Sequence, residues 1–222
     1  MSSGAAHTNA SIWDSVYANG GGDLRYPNDV LVRLAARLVG DRRDMRILDY
    51  GFGTGANLVH FATQGHQVSG VEVSGHALSL ARERLGDMGL TGDLRLVRVG
   101  DSLPFDDSSF DLVYAWQVIY YNDREGWSST VRELERVTRP EGRIVIATAA
   151  PGDISELEAE PLGNYMYRSR VAGQQGCIVT IPDKDSLASM FPGRAVEIGE
   201  FGLRFGAIMS RHWIVSYRMF RS

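Results

Sequence analysis

The chain of 222 residues is 44% hydrophobic and 23% charged, and its formal net charge is −4 at pH 7. This composition is that of a globular protein with a sizeable core. The charge argues against binding to nucleic acid or to an anionic membrane surface, and no apolar run approaches the roughly 20 residues that a membrane-spanning helix needs. The single cysteine, Cys177, rules out a disulfide within the chain, so we expect a cytoplasmic protein.

From residue 28 to residue 149, helical and strand-like patterns alternate along the chain. They predict helices over 28–39, 55–64, 74–85 and 123–137, and strands over 45–48, 67–73, 94–99, 110–116 and 143–149. Pro140-Glu141-Gly142 predicts a turn before the last of these strands. Such alternation requires right-handed crossovers, so it predicts an α/β fold with a doubly wound, mostly parallel sheet.

Both ends of the chain differ from this central part. Residues 1–10 are small and polar and predict a disordered or loosely docked start. Residues 183–191 predict a short helix, and residues 195–203 and 213–219 predict two strands joined by a short link that contains glycine. Adjacent strands with a short link form an antiparallel hairpin. The sequence therefore predicts a seven-stranded sheet that ends in a C-terminal antiparallel hairpin.

The most informative motif is the segment from Ile47 to Leu58, in which an apolar strand and an acid, Asp49, precede glycines at positions 51, 53 and 55. Glycine permits positive φ and lets the backbone approach a ligand closely. The helix that follows directs free N–H groups and a positive dipole end at the same point. A loop of this kind at the carboxyl end of a sheet binds a nucleotide-like cofactor.

Two classes of cofactor fit this loop. Gly51, Gly53 and Ala56 match the dinucleotide fingerprint G-x-G-x-x-G/A, and Glu72, about 20 residues further on, is placed to bind the hydroxyls of an adenosine ribose. Asp49 favours a ligand with an ammonium group, because a carboxylate and a pyrophosphate repel one another strongly in a low-dielectric cleft. Glu72 suits either class, since both cofactors carry this ribose.

The glycine loop also resembles motif I of the class I S-adenosylmethionine-dependent methyltransferases. The segment from Gly100 to Val113 is similar to the region of that family's third and fourth strands, and the segment from Arg136 to Arg143 resembles its turn into strand five. Glu141 stands in this turn where a glycine is commoner in the family. The resemblance covers residues 45–149 and the C-terminal hairpin. It implies a Rossmann-like methyltransferase fold with S-adenosylmethionine as the cofactor.

The resemblance also implies which residues hold the cofactor. In that family the acid after strand three meets the adenine amino group and the N–H of the next residue meets the ring, and Asp101 and Ser102 hold these positions. An N-terminal segment folds over the cofactor in many members, so Tyr17 and Arg25 are candidates for contact with the methionine carboxylate. Phe52 replaces a small residue or cysteine, and we expect it to bring bulk near the cofactor. The predicted cofactor-binding residues are Tyr17, Arg25, Asp49, Gly51, Phe52, Gly53, Gly55, Asn57, Glu72, Val73, Asp101, Ser102, Leu103 and Gln117.

Catalytic residues are harder to predict, because methyl transfer from a sulfonium depends mainly on alignment and needs a base only when the acceptor carries a proton to be removed. Gln117 directly follows the fourth predicted strand, where it can meet the methionine part of the cofactor or the acceptor. Tyr120 and Tyr121 can orient an acceptor or pack under the next helix. His212 is a weaker candidate, and no spacing of side chains predicts a metal site.

We therefore predict a methyltransferase for a small-molecule acceptor, with residues 1–27 as an N-terminal arm or lid, residues 28–222 as one domain, and residues 151–182 as a substrate-side cap with a flexible stretch. Two alternatives remain open. An NAD(P)-dependent oxidoreductase would need a second catalytic set such as Tyr-x-x-x-Lys, and the one lysine, Lys184, has no such setting. A non-catalytic protein that binds S-adenosylmethionine would carry the same motifs. The acceptor atom and the oligomeric state are open at this point.

Overall fold

The computed structural model describes residues 3–220, with side chains from residue 8 onward. The helices are α1 (Ser3–Ala18), α2 (Asp29–Val39), α3 (Ala56–Thr63), α4 (Gly75–Asp87), α5 (Arg124–Val137), α6 (Ile154–Leu157) and α7 (Lys184–Ser189). The strands are β1 (Arg46–Tyr50), β2 (Gln67–Glu72), β3 (Asp93–Leu96), β4 (Phe110–Trp116), β5 (Thr138–Ala149), β6 (Ala159–Gly163), β7 (Met166–Ser169), β8 (Ile178–Thr180), β9 (Glu197–Phe205) and β10 (Ile208–Arg218). A short 3₁₀ helix, Ile119–Tyr121, follows β4.

Seven of the strands form one sheet in the order β3-β2-β1-β4-β5-β10-β9. The pairs among β1 to β5 are parallel, and β10 runs antiparallel to both β5 and β9. The predicted doubly wound sheet with a C-terminal hairpin is therefore confirmed. The strand order reverses between β1 and β4, so the carboxyl ends of these strands flank the crevice in which such sheets bind ligands.

The central strands are buried on both faces of the sheet, as expected for parallel strands covered by helices. All seven residues of β4 are buried. Ile47 and Leu48, consecutive residues of β1, belong to two different hydrophobic clusters, because side chains alternate across a strand. The core thus consists of one apolar layer on each face of the sheet.

Side-chain caps set the start of three predicted helices. Asn28 accepts hydrogen bonds from two backbone N–H groups in the first turn of α2. Ser74 caps α4 and Asp123 caps α5 in the same way, each with one such bond. These caps satisfy N–H groups that the first turn of a helix leaves without a partner, which is why the sequence predicts these boundaries well.

The start of the chain, predicted to be disordered or loosely docked, is helical in its described part, because α1 begins at Ser3; residues 1 and 2 lie outside the described residues. Contacts with distant segments stabilise this helix. The buried side chain of Asn9 donates to the carbonyl oxygens of Tyr121 and Ile178 at 2.8 and 2.7 Å, and it accepts from the N–H of Ile178 at 2.8 Å. Tertiary contacts of this kind override weak local propensity.

The predicted turn at Pro140-Glu141-Gly142 lies inside β5 rather than before it. A register shift against β4 accommodates these residues as a bulge, and Glu141 has a φ of 63°. The N–H of Glu141 donates to the carbonyl of Met219 at 2.8 Å, and the N–H of Met219 donates to the carbonyl of Gly142 at 2.9 Å. Pairing with the chain just beyond β10 therefore extends the strand through the turn.

Residues 151–182 are more regular than the sequence indicates. They form α6 and a separate antiparallel sheet of β6, β7 and β8. Cys177 and Val179 are buried, and Val179 packs in the same hydrophobic cluster as one face of the central sheet. The glycine-containing stretch 173–176 lies in the loop between β7 and β8.

Candidate functional site

The glycine loop connects β1 to α3 at the carboxyl end of the sheet. Gly51 and Gly53 have φ values of 75° and 55°, a region that favours glycine. A Cβ atom on Gly51 would lie 2.4 Å from Cγ2 of Val118, and one on Gly53 would lie 3.0 Å from the hydroxyl oxygen of Tyr17. Glycine at both positions therefore lets other groups approach the backbone closely, as a ligand-binding loop requires.

Glu72 ends β2 beside this loop. Its Oε2 accepts a hydrogen bond from the N–H of Gly53 at 2.9 Å, and its Oε1 accepts from the N–H groups of Val73 and Ser74 at 2.7 and 3.1 Å. Glu72 is 6% exposed, and burial raises the pKa of its carboxyl despite these three bonds. Each carboxylate oxygen can accept further bonds, so Glu72 can order the loop and bind ligand hydroxyls at the same time.

A cavity of about 1030 Å³ lies over the glycine loop and the carboxyl ends of β1, β2 and β4. This volume is suitable for a nucleoside-sized cofactor together with a small acceptor. The predicted residues in its wall are Tyr17, Gly51, Phe52, Gly53, Asn57, Glu72, Val73, Asp101, Leu103, Gln117, Tyr120 and Tyr121. Residues from segments far apart in the sequence therefore meet in one site.

Five predicted residues lie outside the cavity wall, namely Arg25, Asp49, Gly55, Ser102 and His212. Arg25 and Ser102 are exposed at the surface. Gly55 is the N-cap of α3, and a Cβ there would lie 2.9 Å from Cβ of Ala81. This glycine therefore lets α3 and α4 pack closely, which is a structural role that the glycine spacing alone does not distinguish from ligand binding.

Asp49 lies behind the glycine loop. It is 1% exposed, and its Oδ2 accepts a hydrogen bond from the Tyr114 hydroxyl at 2.8 Å. Burial, with a smaller contribution from Glu72, raises the pKa of this carboxyl to about 8. The sequence suggests a carboxylate at Asp49 that favours an ammonium group, whereas the structure gives a buried carboxyl that is largely protonated at neutral pH.

The ring of Phe52 packs on the sheet next to the loop. Phe52 is buried, and a Cβ on Gly70 in β2 would lie 2.5 Å from its Cδ1. The absence of a side chain at Gly70 therefore provides the room for this ring. Phe52 contributes to the cavity wall, but most of the bulk that the sequence predicts near the cofactor is directed onto β2.

Asp101 and Leu103 line one end of the cavity together with Val97. The N–H of Leu103 donates to Oε2 of Glu133 at 2.7 Å, and Nη2 of Arg136 contacts the same oxygen at 2.8 Å. The guanidinium of Arg136 holds the pKa of Glu133 below its ordinary value. The charged Glu133 thus fixes the loop at Leu103, and Asp101 remains exposed at the cavity.

Gln117, at the carboxyl end of β4, has a φ of 57°, a left-handed conformation that is uncommon for a residue other than glycine and concentrates at functional sites. Its Nε2 lies 2.9 Å from Nε2 of His212 in β10. His212 is 6% exposed. Because Gln117 occupies Nε2 of the imidazole, His212 is not placed to take a proton from an acceptor.

Four aromatic side chains from α1 and the 3₁₀ helix form part of the wall, namely Trp13, Tyr17, Tyr120 and Tyr121. Their ring centroids are 5.6 Å apart for Trp13 and Tyr17, 5.4 Å for Trp13 and Tyr121, and 4.5 Å for Tyr120 and Tyr121. Burial raises the pKa of all three tyrosines above its ordinary value. They are therefore neutral phenols that can donate hydrogen bonds, and they are poor general bases at neutral pH.

The N-terminal arm contacts α4 at two places. Asp14 in α1 accepts a hydrogen bond from Oγ of Ser74 at 2.6 Å. Arg84 donates from Nη1 to the carbonyl of Leu24 at 2.6 Å and from Nη2 to Oδ1 of Asp23 at 2.5 Å. These contacts hold the arm across the cavity, whose wall includes residues of both α1 and the loop that follows it.

Known proteins share both the sequence pattern and the fold of this chain. A family profile described as a methyltransferase domain matches residues 47–142. The ubiquinone/menaquinone biosynthesis C-methyltransferase of Idiomarina loihiensis is 31% identical over 196 residues, which are 78% of this chain and 74% of that relative. The chain belongs to the class I S-adenosylmethionine-dependent methyltransferase family.

Other similar proteins match a smaller part of their length or only the fold. The malonyl-[acyl-carrier protein] O-methyltransferase of Erwinia pyrifoliae is 34% identical over 120 residues, which are 52% of this methyltransferase and 41% of that relative. A structure from work on the conversion of a disulfide bond into a thioacetal group during echinomycin biosynthesis has a TM-score of 0.73 at 21% identity, over 95% of this chain and 91% of the other. The Erwinia relative favours the methyltransferase interpretation over the nicotinamide one, and the echinomycin structure shows the shared fold.

The residues of the methyltransferase fit the family's cofactor, S-adenosylmethionine. Glu72 presents a buried carboxylate suited to the two ribose hydroxyls, and Asp101 presents an exposed one suited to an adenine amino group. A Cβ atom at Gly51 would collide with Val118, and one at Gly53 would crowd the Tyr17 hydroxyl. In the described part of the chain, no group of His, Cys, Asp and Glu side chains is arranged to hold a metal ion, and no helix is long and apolar enough to cross a membrane.

Sequence reasoning missed several residues of the cavity wall, chiefly Trp13, Trp116, Asn122 and Gln174. Trp13 lies four residues before Tyr17, a spacing that places both on one face of a helix, so a correct prediction of α1 would have identified it. Gln174 comes from the loop between β7 and β8, and its Oε1 accepts a hydrogen bond from the Tyr121 hydroxyl at 3.2 Å. No local signal in the sequence points to that contact.

Proposed function

We propose that this methyltransferase transfers a methyl group from S-adenosylmethionine to a small-molecule acceptor. One observation carries the proposal, namely that a single cavity joins the glycine loop and Glu72 to a group of aromatic side chains. S-adenosylmethionine, when bound, supplies the methyl group on a sulfonium already activated for in-line displacement. The relative from Idiomarina loihiensis, which acts in ubiquinone/menaquinone biosynthesis, supports a small molecule as the acceptor.

The chain's own residues bind and align the two reactants in this proposal. Glu72 binds the ribose hydroxyls, Asp101 and Leu103 bind the adenine, and the backbone of Gly51 and Gly53 borders the methionine part. The further contacts we propose are Tyr17, Phe52, Asn57, Val73 and Gln117, all in the cavity wall. Alignment of this kind can lower the activation barrier by several kcal/mol, and by up to about 7–11 kcal/mol in well-oriented systems.

We propose that the acceptor is neutral or cationic and has a planar apolar part. The rings of Trp13, Tyr120 and Tyr121 offer flat apolar surfaces that suit such a molecule. Acids outnumber bases in the described wall, with Asp29, Glu72, Asp101, Asp123, Glu125 and Glu133 against Arg98. Repulsion between like charges disfavours an anionic acceptor, and the same excess of acids favours a cationic sulfonium.

We further propose that residues 1–27 act as a lid, residues 28–222 as the methyltransferase domain, and residues 151–182 as a substrate-side cap. The contacts of Asp14 and Arg84 with their partners support the lid. The presence of Gln174 in the cavity wall and the bonds between Asn9 and Ile178 support the cap. Cys177, a buried free thiol, is consistent with the reducing cytoplasm in which we place the protein.

Two measurements test the proposal. Calorimetric titration with S-adenosylmethionine, S-adenosylhomocysteine and NAD is expected to show binding of the first two only. A screen with methyl-labelled S-adenosylmethionine against phenols, aromatic amines and aromatic carboxylates is expected to label neutral or cationic acceptors. Binding of NAD alone would overturn the cofactor, and labelling of carboxylates alone would overturn the proposed acceptor class.

A further inference from the structure

The contact between Gln117 and His212 joins the central sheet to the C-terminal hairpin directly beside the cavity. The backbone N–H of Gln117 donates to the carbonyl of Ala147 at 2.9 Å, which fixes the residue against β5. Its side-chain Nε2 lies 2.9 Å from Nε2 of His212. An amide nitrogen only donates hydrogen bonds. With the amide nitrogen directed at His212, Nε2 of the imidazole is the acceptor and the ring proton lies on Nδ1.

The ring of His212 is held on its other sides by uncharged groups. It stacks on Phe201 with centroids 5.1 Å apart and an interplanar angle of 16°. Its Nδ1 lies 3.2 Å from Oγ of Ser210, which can accept the Nδ1 proton. The ring is thus fixed in one orientation, with Nε2 directed at the Gln117 side chain.

A carboxylate also adjoins the ring, and a guanidinium lies on the preceding residue of β10. Oδ2 of Asp153 lies 3.8 Å from Nδ1 and accepts the backbone N–H of Arg211 at 2.8 Å. The guanidinium of Arg211 pairs with Glu200 at 3.1 Å. Burial lowers the pKa of His212, and Asp153 opposes this shift without reversing it. His212 is therefore neutral at pH 7 and becomes protonated at a lower pH than an ordinary histidine.

We propose that neutral His212 is a positioning residue that keeps the side-chain oxygen of Gln117 available to the bound ligand, and that protonation of His212 reverses the Gln117 carboxamide. Neutral His212 holds Nε2 of Gln117, while Oε1 has no hydrogen-bond partner among the described residues and Gln117 lines the cavity. A protonated imidazole donates at Nε2. The carboxamide would then turn its oxygen toward His212 and its NH₂ group toward the cavity.

The ligand group that meets Oε1 is a hydrogen-bond donor, and we assign it to the ammonium of the cofactor's methionine part. Glu72 binds Gly53, and Val118, the neighbour of Gln117, packs on Gly51. A cofactor whose ribose lies at Glu72 therefore extends along the loop toward Gln117. This inference rests on the proposed function, since it takes the ligand to be S-adenosylmethionine or its product.

Nitrogen NMR of the histidine side chains and calorimetry test the inference, over a pH range that runs from about 8 to well below the ordinary histidine pKa of about 6.5. We expect the proton of wild-type His212 on Nδ1, and an affinity for S-adenosylhomocysteine that falls about tenfold as His212 protonates. Gln117→Ala should weaken this ligand about tenfold at pH 7.5. The affinity for methylthioadenosine, which lacks the amino-acid part, should change neither with pH nor in Gln117→Ala.

His212→Gln and His60→Gln are a matched pair of variants. The new amide in His212→Gln can accept from Nε2 of Gln117 but cannot titrate, so the affinity should stay high and lose its acid dependence. His60 lies on α3 outside the cavity wall, and His60→Gln should keep the wild-type profile. Loss of the acid dependence in both variants would overturn a specific role of His212.

Three further results would overturn the inference. A proton on Nε2 of wild-type His212 would contradict the assigned orientation, and this measurement needs no variant to fold. An equal loss of affinity at acid pH in the wild type and in His212→Gln would show that His212 does not cause the pH dependence. Equal weakening of methylthioadenosine by Gln117→Ala would exclude the ammonium as the donor. A lack of S-adenosylhomocysteine binding at every pH would instead refute the proposed function, so the two failures are distinguishable.

Discussion

Glu72 has a structural role in the loop and, in the function we propose, a binding role as well. Glu72→Ala is expected to weaken S-adenosylhomocysteine binding at least tenfold, because charge-assisted hydrogen bonds contribute about 1.5–3 kcal/mol each. It should also lower the free energy of unfolding by about 1–3 kcal/mol, since the N–H groups of Gly53, Val73 and Ser74 lose their acceptor. Calorimetry and thermal unfolding measure the two effects separately.

The matched control for this change is Glu83→Ala, which removes an exposed acid on α4 that lies outside the cavity wall. This variant should alter neither the affinity for S-adenosylhomocysteine nor the free energy of unfolding. A Glu72→Ala variant with an unchanged dissociation constant would refute the ribose assignment, whereas a loss of stability alone would leave Glu72 with only its structural role.

Asp49 makes the stability of the ligand-free protein depend on pH. Its pKa is about 8 in the folded protein and about 4 in an unfolded chain, so between these values the folded state binds more protons. The free energy of unfolding therefore falls as pH rises from about 4 to 8. Asp49→Asn keeps an acceptor for Tyr114 but cannot ionise, so its melting temperature should fall less between about pH 6 and 9 than that of the wild type.

Thermal unfolding over this pH range checks the prediction. Asp41→Asn, at an exposed position, should follow the wild-type curve. Parallel curves for Asp49→Asn and the wild type would mean that another group determines the pH dependence.

Arg84 makes one of the two attachments of the N-terminal arm to α4. Arg84 contacts Asp23, Leu24 and Thr54, so Arg84→Ala should free the loop that follows α1. We expect the free energy of cofactor binding to weaken by about 1 kcal/mol, which is roughly fivefold in the dissociation constant. Hydrogen exchange over residues 11–27 should become faster, and added cofactor should slow it in the wild type.

Arg82→Ala is the matched control on the same helix. Arg82 donates to the carbonyl of Leu94 at 2.9 Å and contacts β3 rather than the arm. Its removal should leave exchange over residues 11–27 and cofactor affinity unchanged. If the two arginine variants behaved alike, the arm would have no specific role in binding.

Asn9 joins three parts of the molecule that are distant in sequence. Its side chain bonds the backbone at Tyr121 and Ile178, which links α1 to the 3₁₀ helix and to β8. Asn9→Ala leaves these backbone groups without partners, so we expect a loss of about 1–3 kcal/mol in the free energy of unfolding. Asn19→Ala, just beyond α1 and exposed, should cost much less. Chemical denaturation of both variants measures the difference, and equal midpoints would refute the role of Asn9.

The sheet could be predicted because its signals are local. Apolar strands, the glycine loop and the caps Asn28 and Ser74 each lie within a few residues of the element they specify. α1 could not be predicted, because Asn9 finds its partners more than 100 residues away. Tertiary contacts decide such cases, and a local pattern does not record them.

The residues of the candidate site also divide into those that local sequence signals predict and those that depend on tertiary contacts. The sequence placed Glu72, Gly51 and Gly53 at the cavity because the loop and the strand ends fix them. It could not show that Asp49 lies behind the loop, because burial depends on the packing of Tyr114 against it. The partner of Gln117 also lies on a strand 95 residues away, and only the antiparallel register of β10 against β5 brings it there.

The arm across the cavity has a consequence for the time course of the reaction. The Tyr17 hydroxyl lies over Gly53, and Asp14 and Arg84 hold the segments on either side of it. In the lid role that we propose for this arm, product leaves only after these contacts open, and lid opening of this kind limits turnover in many enzymes. We expect the first turnover after rapid mixing to be faster than those that follow, so that product accumulates in an initial burst equal to the enzyme concentration.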